Sequence, residues 1–129
     1  FTLFDQVVEG DFATSLVILE TLLLSKEYQP VQILAGLLWQ FRKLLMVISF
    51  TARGGGIDEA YRELNIRSKK NKKTYSLGMK QYSKQQLEYI LVLISDFDAM
   101  LRMARTPMQN NLLKLFLYYA IIKKGSRTT

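Results

Sequence analysis

Residues 30–50 read PVQILAGLLWQFRKLLMVISF, and this stretch decides the fold. Pro30 suits a first helical position, where its missing N–H costs nothing, and no breaker follows until Gly54, Gly55 and Gly56. Ile33, Leu34, Leu37, Leu38, Phe41, Leu44, Leu45 and Ile48 recur at the i, i+3, i+4, i+7 spacing of a buried helical face. Trp39, Met46 and Val47 widen that stripe, leaving Gln32, Gly36, Gln40 and Lys43 as a thin polar line. A helix apolar over most of its girth is enclosed by other helices, so Trp39 is expected to be buried and structural. Such a helix is roughly 30 Å long, about the diameter of a small domain.

The rest of the chain supplies its neighbours. Thr2 with Asp5 reads as a capping box for a short helix that stops at Gly10, and Asp11 caps a second over Phe12 to Ser25. The short link from Lys26 to Gln29 implies an antiparallel hairpin with the central helix. Asp58 to Leu64 makes two turns, and Ser68 opens a helix to about Met79 that Ser76 and Gly78 weaken. Ser83 with Gln86 is a further capping box, for a long amphipathic helix to about Met103. Thr106, Pro107 and Gln109 then supply cap, first residue and capping-box partner for the last helix, which Gly125 ends. No alternation argues for a strand. The expectation is an all-α bundle of six or seven helices around the long central one.

At 129 residues this is one domain, large enough to bury a core unaided. It opens on Phe1 rather than Met and is expected to be a fragment, residues 1–129 forming one C-terminal helical domain of a longer protein. Neither cysteine nor histidine occurs, which excludes disulfides, thiolate or imidazole metal sites and a His-based triad. The longest charge-free stretch, Tyr28 to Phe41, is too short to span a bilayer. The three glycines lack the lysine and preceding strand of a phosphate loop and read as a connector. Asp96 and Asp98 diverge on a helix, and Asp98 with Arg102 is an i, i+4 ion pair, so no catalytic pair of carboxylates emerges. No enzyme and no cofactor are expected.

Charge is unevenly placed. Arg67, Lys69, Lys70, Lys72, Lys73, Lys80 and Lys84 lie between Glu63 and Glu88 without an acid among them, and they equal the whole net charge of +7. Interleaved with Tyr75 and Tyr82, they form a candidate DNA contact, with phosphates on the cations and bases on the rings. The last helix carries a different signal. Its residues from Leu112 to Ile122 are apolar or tyrosine nearly all round, apart from Lys114 at the start. One side feeds the core through Leu113, Phe116 and Ala120; Leu115, Tyr118 and Ile122 share another side and are candidate subunit-interface residues.

Taken in order, these features resemble the C-terminal domain of the delta subunit of bacterial DNA polymerase III, which is a clamp-loader component. The resemblance rests on the Leu3-Phe4-Asp5 helix with its Glu9-Gly10-Asp11 joint, and on Ile33 through Leu45. Tyr61 to Ile66, Tyr82 to Leu87 and Ser95 to Arg102 continue it across the chain. Two segments depart from the family pattern: Arg67-Ser68-Lys69-Lys70, and a long final loop from Arg102 to Asn111. The resemblance implies a cytoplasmic, non-catalytic collar piece in DNA replication. It would join gamma/tau and delta-prime type subunits, the ATP hydrolysed belonging to partner subunits, while contact with the sliding clamp belongs to an N-terminal part. It implies no cofactor and no membrane. The alternative is an independent helical nucleic-acid-binding module using residues 67–84.

Overall fold

The central helix forms where its periodicity puts it. In the computed structural model, which describes residues 3–126, it runs Pro30–Ala52 (α3). Around it lie α1 (Leu3–Glu9), α2 (Phe12–Ser25), α4 (Ile57–Glu63), α5 (Lys69–Gln81), α6 (Lys84–Met103) and α7 (Thr106–Ile121), with no strand among the described residues. The expected all-α bundle is thus a seven-helix one. Helix α3 is long and apolar enough to cross a bilayer by length and composition, but α4, α5, α6 and α7 of the same chain pack on it.

Side-chain caps start three of these helices. Asp11 accepts the Thr14 N–H at 3.0 Å, and Ser68 accepts the Asn71 N–H at 3.0 Å. Ser83 and Gln86 form the reciprocal box, the Ser83 hydroxyl accepting from the Gln86 N–H and the Gln86 amide oxygen from the Ser83 N–H. The expected Thr2 cap lies outside the described residues.

The last junction differs from expectation. Residues Ala104 and Arg105 alone separate α6 from α7, so Arg102 to Asn111 is no long loop. Thr106 is already helical, its preceding cap residue is Arg105, and Gln109 does not close a box on it. The Gln109 amide instead donates to the Leu101 carbonyl at 2.8 Å, satisfying one of the C-terminal acceptors of α6. One side chain thereby fixes the corner between the two helices.

The interior is built on α1 and α3. Leu3, Phe4, Val7 and Val8 of α1 are buried against Ile33, Leu34, Leu37, Phe41, Leu44 and Val47 of α3 and their neighbours, each such side chain contributing roughly 1.5–3 kcal/mol. Four rings run through it as a chain: Tyr75 to Phe4 at 5.9 Å, Phe4 to Phe41 at 5.1 Å and Phe41 to Tyr82 at 5.8 Å. Gly78, read as a weak point of α5, has a packing role. A Cβ there would stand 2.7 Å from Leu44 Cδ2 and 3.4 Å from Val8 Cγ1, so the missing side chain lets α5 close on α1 and α3.

Trp39 contradicts its expected burial: it is 62% exposed. The wheel places it at the margin of the stripe, and α1 and α5 leave a cleft beside it instead of closing over the ring. Lys43 lies over the indole, its ammonium 5.5 Å from the ring centroid. Met46 is exposed as well, whereas Val47 is in the core.

Candidate interaction surfaces

Helix α7 divides cleanly. Leu113, Phe116, Leu117, Ala120 and Ile121 are buried, while Leu115 and Ile122 are 43% and 51% exposed. On one flank α2 reaches it through Phe12 against Tyr118, centroids 6.0 Å apart, and through Glu20 with Lys114 at 3.3 Å. On the other flank Phe97 of α6 meets Phe116 at 5.8 Å and Tyr119 at 6.4 Å. Leu115 and Ile122 therefore face outward between two flanking helices. Tyr118 is half-buried, its ring held by Phe12 and Tyr119, so it belongs to the seam with α2 more than to the open face. Sequence reasoning missed the other exposed apolar residues of the two flanking helices: Tyr89, Val92, Met100 and Met103 on α6, and Val17 and Leu24 on α2. Their spacing on each helix was visible, but not which of them the packing of α2 and α6 on α7 leaves exposed.

The seven cations of the basic segment do not stay together. Arg67, Lys69, Lys70, Lys72 and Lys73 gather about Ser68 at the start of α5, whereas Lys80 sits in its last turn and Lys84 opens α6. Lys69 and Lys80 are eleven residues apart, roughly 16 Å of helix rise. Of the seven, Lys70 alone meets an acid among the described residues, Asp5 at 3.8 Å. No acidic residue occupies the first turn of α5, the place where helix electrostatics favour one. Tyr61 of α4 anchors this end of α5. Its hydroxyl donates to the Lys72 carbonyl at 3.1 Å and lies 2.6 Å from the Ser76 hydroxyl. Arg62, outside the basic run, joins Arg67 and Lys72 around a pocket between α4 and α5.

The tyrosines expected to offer stacking faces do not. Tyr75 is buried against Phe4, and burial, with Asp5 adding a smaller effect, pushes its phenol up to about 12. Tyr82 is buried too, its pKa raised by desolvation, and its hydroxyl donates to the Ala120 carbonyl at 2.9 Å. The exposed ring near the start of α5 is Trp39.

Asp98 and Arg102 form the expected i, i+4 pair, at 2.9 and 3.3 Å, on the surface of α6. Among the described residues no three potential metal ligands converge. Neither observation supplies chemistry beyond binding.

Neither a search of curated proteins nor one of solved structures returned a match. A family model does match over residues 1–120, that of the C-terminal domain of the DNA polymerase III delta subunit. That span takes in every helix from α1 to α6 and nearly all of α7, so the chain belongs to the family of C-terminal domains of the DNA polymerase III delta subunit.

Proposed function

We propose that this domain acts as a collar piece of a bacterial clamp loader, docking onto gamma/tau or delta-prime type subunits through the outward face of α7 and leaving ATP hydrolysis to them. The observation that carries this is the apolar outward line of Leu115 and Ile122 on a helix whose opposite side already completes the core. Isolated exposed apolar residues need no explanation. Here the adjoining helix α6 also exposes Val92, Met100 and Met103, which adds apolar surface to this part of the molecule. The test is Leu115→Glu with Ile122→Glu, titrated calorimetrically against the partner subunits. Association should weaken about 30-fold or more, corresponding to the ~2 kcal/mol of a hot spot, with the melt unchanged. Full association by a folded variant would move the interface off α7.

A second reading has its own support. Five cations cluster around Ser68 with a single acid in contact, an arrangement suited to sequence-independent contact with DNA phosphates. Replacing Lys69, Lys70, Lys72 and Lys73 with glutamine should flatten the salt dependence of DNA binding. An unchanged slope would return them to an ordinary solvated surface.

A further inference from the structure

Beside the basic end of α5 a cleft of about 270 Å³ opens between α1, α3 and α5. Trp39, Gly36, Gln40 and Lys43 of α3 line it from one side, and Asn71 and Thr74 from the other, with Asp5 between. Helical side chains lean toward the N-terminus, so the indole of Trp39 lies over the turn of Gly36, which has no side chain to fill the floor. Gln40 contributes an oddity. Its amide oxygen is shut off from solvent and has no hydrogen-bond partner, the one such buried side-chain atom among the described residues. A buried acceptor left unmet is costly, and natural folds keep few of them. The cleft is smaller than the roughly 300–1,000 Å³ of pockets that enclose whole ligands, so it suits one flat ring from something larger.

We propose that this cleft receives an unpaired nucleobase stacked on Trp39, so that the basic surface beside it holds single-stranded rather than duplex nucleic acid. This rests on the phosphate-contact reading above. The lining favours it: the Asp5 carboxylate on the cleft wall repels a phosphate but suits a base amino group. One cation lines the cleft and two more stand beyond it. Lys43 is already over the indole, and Lys70 and Lys73 line the next groove beyond Asp5. Base stacking on an exposed ring accepts any sequence, and a duplex cannot supply it because its bases are stacked already.

Trp39 is the single tryptophan of the 129 residues, so its emission reports the site directly. The experiment titrates the 129-residue chain at low salt with an oligo-dC, an abasic oligomer of equal length and a duplex. Anisotropy of the labelled strand reads binding, and tryptophan emission reads stacking. Oligo-dC should bind and quench; the abasic strand and the duplex should bind without quenching. Trp39→Ala should weaken oligo-dC binding about five- to a hundredfold, leave the abasic strand unaffected and keep the melt in place. Trp39→Phe should recover part of the loss. Binding of oligo-dC without quenching, and equally tight to Trp39→Ala, would overturn the base site while leaving the phosphate surface standing. Absence of binding by all three probes would remove both.

Discussion

Replacing Tyr82 with phenylalanine removes one oxygen and tests how α7 is held. The last carbonyls of a helix lack intrahelical partners. In α7, Tyr118 receives the Ile122 N–H at 2.9 Å and Tyr119 receives the Gly125 N–H at 2.8 Å, both from the chain beyond the helix. Ala120 is satisfied differently, by the Tyr82 hydroxyl at 2.9 Å from the far end of α5. Tyr82 and Ala120 are 2% and 0% exposed, so little water can replace that donor. Tyr82→Phe keeps the ring against Phe41 and creates no methylene-sized cavity, so the expected loss is the cost of an unmet buried acceptor, about 1–3 kcal/mol. Urea unfolding should show a lower midpoint at unchanged slope, and the melting temperature should fall by roughly 3–6 °C per kcal/mol for a domain of this size. Tyr75→Phe is the control. No hydrogen bond of its hydroxyl occurs among the described residues, and its removal should cost much less. A Tyr82→Phe midpoint within about 0.5 kcal/mol of the parent would refute the reasoning.

Trp39→Ala should change stability by no more than about 0.5 kcal/mol, against roughly 3–5 for a buried aromatic; a melt lowered by many degrees would put the ring in the core. Gly78→Ala should be neutral to destabilising by about 2 kcal/mol, overpacking against Leu44 outweighing a helix-propensity gain of about 1 kcal/mol. In a Leu44→Ala background the same change should stabilise, and an identical effect in both backgrounds would deny the contact. Alkali should unfold the domain through its buried phenols. Tyr75 ionises near pH 10.0 when unfolded and at about 12 when folded, so its contribution is complete below pH 10 and is lost as pH rises to about 12. Circular dichroism across that range should show a shallower loss for the Tyr75→Phe, Tyr82→Phe double variant.

Much of the fold was legible because the helix signals are local. Ser68, Ser83 with Gln86, and Asp11 each satisfy amide groups within three residues, so no distant neighbour need be known. Coverage is a different matter. Periodicity assigns Trp39 to a stripe but cannot say whether a helix lies over it, and here α1 and α5 leave a cleft beside the ring. The same blindness misplaced Tyr75 and Tyr82. Among lysines they read as surface rings, yet α5, poor in apolar side chains, turns Tyr75 into the core, and its C-cap Tyr82 is buried likewise. Gly78 looked like a breaker because its reason, the approach to Leu44 and Val8, involves residues far apart in sequence. At the α7 face the outward line of Leu115 and Ile122 was readable from spacing alone. Which residues of α6 and α2 stay exposed beside it depends on tertiary packing.

The two surfaces owe their independence to the inner pair of helices. Both α5 and α7 pack on α1 and on α3, so each turns its solvent side away from the same interior. For α7 that side carries Leu115 and Ile122; for α5 it carries Lys69 and Lys73. A partner seated on α7 therefore need not cover the lysines, and a strand along α5 need not disturb the assembly face. What connects them is rigid: the ring chain from Tyr75 through Phe4 and Phe41 to Tyr82, closed by the hydroxyl on Ala120. Aromatic packing of that kind transmits position, since interiors are close-packed and yield little. Were α7 held in an assembly as proposed, α5 and the Trp39 cleft would be held in a fixed direction with it.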